Sequence, residues 1–170
     1  MTGGMEGAVV IGLAHDRNTA WLTVHGVPDQ PGKAAALFRA LADEHINVDV
    51  IIQNPAIHGR TDVCFTVAGN TADRAVELMH AQHDAIGFTT LDCDKGVAKV
   101  SVVGAGMRSQ PGVALRMFQA LGDAGINILL ISTSELKISV VINDRYTELA
   151  VRVLHDAFEL DKASGGTLPA

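Results

Sequence analysis

The sequence predicts an α+β fold made of two similar βαββαβ units in tandem. The turn Asp29-Gln30-Pro31-Gly32 occurs again 80 residues later as Ser109-Gln110-Pro111-Gly112. Each copy is followed by an amphipathic helical pattern and then by the alternating pattern of a strand. With 170 residues, 48% of them hydrophobic, the chain is long enough to form two small domains that each have a core.

Two predicted strands precede the first turn. Residues 8–14 form an apolar run rich in β-branched side chains, which is typical of a strand, and the polar residues 15–18 are expected to end it. Residues 20–25 form the second strand, which leads through Val27 and Pro28 into the turn. The chain therefore has one strand more than the first unit needs.

The rest of the first unit follows from its periodicity. The predicted elements, in chain order, are a helix over 33–45, strands over 48–53 and 63–67, a helix from about 71 to 82, and a weaker strand over 88–92. This order is the split βαβ, or ferredoxin-like, arrangement, in which two helices cover one face of a four-stranded antiparallel sheet.

The second unit repeats this order but ends one strand short. Its predicted elements are strand 100–103, helix 113–124, strand 126–131, strand 138–142 and helix 146–158. Residues 161–166 have no strand pattern. We therefore assign the run 8–14 to the second unit as its missing strand. The expected domains are 19–95 for the first and 8–18 plus 96–160 for the second, with a flexible tail over 161–170.

The composition argues against several classes of function. Thirteen Lys and Arg against nineteen Asp and Glu give a net charge of −6, which repels nucleic acid and anionic membrane surfaces. The sequence has no apolar run of about 20 residues and no signal-peptide pattern at its start, so we expect a cytoplasmic protein without a membrane span. Cys64 and Cys93 lie outside metal-ligand spacings, and no histidine pairs in sequence with a nucleophile. We expect no metal, no cofactor and no catalytic residue.

The first turn suits a small zwitterion. Asp29 offers a carboxylate to an ammonium group, and the amides after Pro31 offer donors to a carboxylate at a helix N-terminus. Gln53 ends the neighbouring strand with an amide that suits a side-chain hydroxyl. The predicted binding residues of this turn are Asp29, Pro31, Gly32, Lys33, Ala34 and Gln53. The alternative is that Asp29 only caps a helix beginning at Pro31.

The second turn lacks the acceptor charge. In the register of 80 residues, Ser109 replaces Asp29 and Thr133 replaces Gln53. We therefore expect the first unit to be the main binding unit and the second to supply a partner surface.

Several stretches resemble the regulatory part of aspartate kinase, which consists of tandem ACT domains that bind amino acids. They are Val-Gly-Ala-Gly-Met at 103–107, Gln-Pro-Gly-Val at 110–113, Asn127-Ile128, and Ile-Ser-Thr-Ser-Glu at 131–135. The resemblance covers residues from about 9 to 160. The chain departs from it at Ala56 and Ala114, where relatives often carry hydroxyl side chains.

This resemblance implies a regulatory (beta) subunit, or regulatory region, without a kinase domain of its own. It implies binding of L-threonine, with or without L-lysine, and feedback inhibition of aspartate-family amino-acid biosynthesis together with a catalytic alpha subunit. Asn127 and Ile128 are expected to approach the ligand from a second repeat across a homodimer interface. Ser134 and Glu135 are expected to form a second effector contact or a switch, and the alternative for residues 132–135 is a cluster of hydroxyls at a strand end that bonds only to the local backbone.

Two other functions fit the same fold. One is a stand-alone ACT sensor of amino acids that acts on a different partner. The other is a small acylphosphatase-like hydrolase, which would need a phosphate loop that carries an arginine. The first turn presents Asp29 instead, and its charge repels phosphate.

Overall fold

The computed structural model describes residues 9–107, 110–160 and 168–169. These residues divide into two units: residues 18–96, here the first unit, and the remainder, here the second unit. The elements are β1 Val9–Pro28, α1 Lys33–Asp43, β2 Val48–Gln53, β3 Arg60–Ala68, α2 Ala72–Ala81, α3 His83–Ile86, β4 Thr90–Ala105, α4 Pro111–Asp123, β5 Leu130–Thr133, β6 Lys137–Asn143, α5 Thr147–Ala157 and β7 Leu168–Pro169. β1 and β4 each contribute residues to both units.

The first unit is a sheet with the strand order β2-β3-β1-β4, and its helices cover one face. β3 is antiparallel to both β1 and β2. Side chains from α1 and α2 are buried against alternate residues of the strands. The largest fully buried members of this core are Leu22, Leu37, Leu41, Phe65, Met79 and Ile86. The alternation in β1 and β3 therefore places one apolar face under the helices.

The second unit has the strand order β5-β6-β4-β1. β6 is antiparallel to β4 and to β5. Met117 and Leu121 of α4 and Leu154 of α5 are fully buried in its core, together with Leu13 of β1. Because Leu13 packs in this core, the N-terminal strand completes the second unit. The predicted fold of two ferredoxin-like units, the second completed by the N-terminal strand, is confirmed.

Three predicted element boundaries are wrong. Residues 15–18 do not end a strand, because β1 runs without a break from Val9 to Pro28. His15 and Arg17 are exposed within it, so the backbone stays extended without burying either polar side chain. β4 likewise joins the strands predicted over 88–92 and 100–103. β5 begins at Leu130 rather than at residue 126, because the amide of Ile126 donates to Leu121 and so closes α4.

The second unit also contains the short strand β7, which consists of Leu168 and Pro169. β7 pairs in parallel with β1 at Ala14 and His15. Apart from Leu168 and Pro169, the predicted flexible tail over 161–170 lies outside the described residues.

Candidate functional site

The two copies of the repeated turn differ in backbone geometry. α4 begins at Pro111, and its N-cap is Gln110. α1 begins only at Lys33, because Gly32 has a φ of 88°, in the left-handed region that favours glycine. Pro31 and Gly32 therefore stay outside the first helix, whereas the corresponding residues of the second copy are helical. Ser109 lies outside the described residues.

The first turn leaves amide donors exposed. Among the described residues, no acceptor lies within hydrogen-bond reach of the amides of Gly32 and Ala34. The amide of Lys33 donates to the carbonyl of Gln30 at 3.3 Å and is thus partly engaged. Free amides at the start of a helix are suited to a small anion.

Asp29 sits beside these donors with an exposed side chain. Its own amide donates to the carbonyl of Gly59 at 2.9 Å, which ties the turn to the loop between β2 and β3. No side chain caps the N-terminus of α1, a segment that the structure describes in full. The alternative that Asp29 serves as the cap of this helix is therefore wrong.

Lys33 and Gln53 complete the surroundings of the turn. Nζ of Lys33 donates to the carbonyl of Ala85 at 3.2 Å, which joins the turn to α3. Gln53 is exposed at the end of β2, where it is paired with Val63 near the start of β3. β1 ends and β3 begins at this same end of the sheet. The structure thus brings Gln53 to the end of the first unit that carries Asp29 and the free amides.

The predicted residues of the second unit have separate surroundings. Asn127 is exposed and Ile128 is half-buried against the second core, in the segment between α4 and β5. Oγ of Ser134 accepts from the amides of Leu136 and Lys137 at 3.3 and 3.2 Å. Ser134 thus stabilises the turn between β5 and β6, and the carbonyl of Glu135 accepts from the amide of Met107.

A cluster of charged side chains that the sequence did not predict lies at the end of β1. Nε2 of His25 is 2.8 Å from the carboxylate of Asp92, and Nδ1 is 3.3 Å from that of Asp62. The carboxylate of Asp92 raises the pKa of His25, although burial opposes it. The amide of Gly26 donates to Asp62 and lowers the pKa of that carboxyl.

The sequence gives no sign of this cluster, because Asp62 and Asp92 lie 37 and 67 residues after His25. Only the pairing of β1 with β3 and β4 brings them together. The cluster lies three residues before Pro28, so it holds the strand end that leads into the first turn. We assign it a structural role next to the candidate site.

Two further observations on the described residues concern metal binding and membrane-spanning helices. They contain no group of three or more histidine, cysteine or acidic side chains arranged to hold a metal ion. No helix among them is long and apolar enough to cross a membrane.

Comparisons of the sequence and of the structure with known proteins agree on one family. The model of the ACT domain family matches residues 22–82 and 100–158. The aspartokinase of Mycolicibacterium smegmatis is 49% identical over 158 residues, which are 92% of this chain and 38% of that protein. The chain thus spans about two fifths of the length of the full-length relatives it matches.

Solved structures cover nearly the whole described fold. A chain in a crystal structure of aspartokinase alpha and beta subunits is 49% identical, with a TM-score of 0.83, and the match covers 89% of this chain and all of that one. The regulatory subunit of aspartate kinase from Thermus thermophilus, in its ligand-free form, is 43% identical with a TM-score of 0.83, and covers 88% and 98% of the two chains. The chain therefore belongs to the family of tandem ACT-domain regulatory regions of aspartate kinases.

Proposed function

We propose that this chain binds L-threonine at the first turn and thereby mediates feedback inhibition of an aspartate kinase. L-Lysine is the second candidate effector, either alone or together with threonine. The chain acts with a catalytic alpha subunit and has no catalytic residue of its own. It works as a homodimer in which Asn127 and Ile128 of one copy approach the turn of the other.

The observation that carries the proposal is the geometry of the first turn. The amides of Gly32 and Ala34 have no acceptor among the described residues, and Asp29, which precedes them in the same turn, is exposed. These groups complement the carboxylate and the ammonium of an amino acid, and charge-assisted hydrogen bonds are the stronger ones. The exposed amide of Gln53 supplies a partner for the hydroxyl of threonine.

Regulation follows if the ligand favours one subunit arrangement. A ligand shifts an equilibrium only by the difference between its affinities for the two states. A site that is complete only when a second copy closes it binds the closed state more tightly. Threonine bound in this way stabilises the assembly that inhibits the kinase.

Thermal unfolding of the isolated chain with increasing threonine tests the proposal. At a concentration about 100 times Kd, the ligand stabilises the folded state by about 2.7 kcal/mol, which raises Tm by several degrees. Asp29→Ala removes the acceptor of the ammonium group. We expect a loss of about 1.5–3 kcal/mol in binding, roughly a tenfold to hundredfold weaker Kd.

Two control variants accompany this measurement. Asp43→Ala makes the same change of charge on an exposed residue at the far end of α1, and Ser109→Ala changes the second turn. Both are expected to keep the full threonine response. Equal losses in Asp29→Ala and the controls, or an unchanged response in Asp29→Ala, would assign the ligand to another place. Calorimetry with lysine in parallel identifies the effector.

A further inference from the structure

The second unit contains a cavity of about 370 Å³ between β1 and the first two turns of α5. Its size is in the range of small-molecule sites. The lining residues are His15, Arg17, Thr147, Glu148, Val151 and Arg152. All of them belong to the second unit, so the cavity is distinct from the first turn.

Positive charge dominates this lining. Two arginines and a single carboxylate, that of Glu148, line the cavity, in a chain whose net charge is −6. Nη2 of Arg17 is 3.6 Å from Glu148, whose side chain is 91% exposed. A solvent-exposed pair of this kind contributes at most about 1 kcal/mol, so a bound anion readily replaces Glu148 as the partner of Arg17. No carboxylate of the described residues lies within ion-pair distance of Arg152.

The first unit offers an internal comparison for the same position. α2 corresponds to α5 at an offset of 75 residues, so that Asp73 matches Glu148 and Glu77 matches Arg152. The ion pair between Lys95 and Asp73 repeats the pair between Arg17 and Glu148.

The two units differ at the position of Arg152, which corresponds to Glu77 in the first unit. Glu77 carries a negative charge and pairs with Arg74 at 3.0 Å, whereas Arg152 adds a positive charge to the cavity. In the first unit Arg74 pairs with this carboxylate, whereas the second unit has Leu149 at the position of Arg74, so the cation beside the cavity is a feature of the second unit alone.

We propose that this cavity binds a small oxyanion, a carboxylate or a phosphate group, between Arg17 and Arg152. The planar guanidinium group presents paired N–H donors that match both kinds of anion. His15 lines the cavity beside them and supplies a further donor. This site stands independently of threonine binding, because it uses no residue of the first turn.

NMR titration of the full chain with inorganic phosphate, and separately with succinate, tests the proposal at constant ionic strength. We expect saturable shifts confined to the amides of β1 around His15 and Arg17 and of the first turns of α5. The tighter of the two anions identifies the class of natural ligand. Arg152→Glu, which restores the residue type of the first unit, is expected to weaken binding about tenfold or more.

Arg116→Glu is the matched control, since it makes the same change of charge on α4 of the same unit, outside the cavity. It is expected to leave the affinity within about twofold, because a charge outside the cavity is screened by solvent. Arg152→Gln, a neutral change of similar size, is expected to weaken binding in the same direction and serves if Arg152→Glu does not fold. Linear, non-saturating shifts, shifts elsewhere, or equal losses in Arg116→Glu and Arg152→Glu would overturn the proposal.

Discussion

The charge state of His25 couples to the fold of the first unit. His25 contacts Asp62 of β3 and Asp92 of β4, and the pKa of its ring is raised above the ordinary value of 6.5, chiefly by Asp92. A raised pKa means that the protonated ring stabilises the folded state. This contribution is complete below about pH 6.5, the ordinary value, and is lost as the pH rises through the folded pKa.

We therefore predict that the free energy of unfolding falls across the pH range just above 6.5. An NMR titration of His25 gives its folded pKa, and Asp92→Asn is expected to lower it, because the largest cause of the shift is removed. Asp94→Asn is the control: it removes the same charge on the same strand, but Asp94 has no contact with His25. A folded pKa of His25 at or below the ordinary value would contradict the prediction.

At the residue scale, the sequence located the turn but not its hydrogen bonds. Proline, glycine and the repeat predicted a binding turn at Asp29, and the structure places exposed amides there. Gly32 is left-handed and keeps Pro31 out of the helix, and the amide of Asp29 contacts the loop between β2 and β3. That contact lies about 30 residues away in sequence, so local patterns carry no sign of it.

At the scale of one element, β1 contains a bulge just before the first turn. Val24 pairs with Val63 but Val27 pairs with Thr61, so β1 has one residue more than its partner between these pairs. Gly26, in the bulge, has a φ of 67°. Its amide donates to Asp62 at 3.0 Å, and its carbonyl accepts from Arg60 at 2.6 Å. These bonds hold the bulge, which directs the strand end toward the turn.

Gly26→Ala is predicted to destabilise the first unit for two reasons. An alanine at positive φ costs about 1–2 kcal/mol, and its Cβ would lie 2.3 Å from Oγ1 of Thr89, which adds about 1–3 kcal/mol of overpacking. Urea denaturation of the whole chain measures the sum. Gly59→Ala is the control, because Gly59 has a φ of 76° but open space around it. It is expected to show the backbone strain alone. If the two losses are equal, Thr89 moves aside without cost and the crowding argument fails.

The strands show where pattern reading succeeds and where it does not. Alternation predicted β2, β3 and β6 closely, because each belongs to one unit and the alternate apolar side chains of β3 and β6 lie in the core of that unit. β1 and β4 were each predicted as two strands, since the polar stretch 15–18 was expected to end a strand and no strand pattern was recognised between residues 92 and 100. Both strands continue from one unit into the other. The backbone therefore stays extended through residues 15–18 and 93–96, although none of their side chains belongs to either core.

At the scale of the whole molecule, the repeat predicted the order of the elements in both units. It also predicted that the N-terminal strand completes the second unit. The second unit lacks a strand after Phe158, and the N-terminal strand supplies it, as Leu13 in the second core shows. Counting elements was sufficient here, because a four-stranded sheet with one strand missing would leave part of its core open. The cavity beside α5 was not predicted, because its charges come from β1 and α5, which are far apart in sequence.

The last prediction concerns assembly. β2 and β5 end the strand order of their units, and each carries an exposed apolar side chain, Ile51 at 52% and Ile131 at 44% exposure. An open strand edge with apolar side chains favours pairing with another chain. We predict a homodimer that threonine strengthens, because a site shared by two copies links binding to association. Sedimentation velocity at micromolar protein measures it, with and without threonine. Ile51→Lys and Ile131→Lys are expected to weaken the dimer, whereas Leu115→Lys, an exposed apolar residue on α4, is expected to leave it intact. A monomer in the presence of threonine would contradict both the dimer and the shared site.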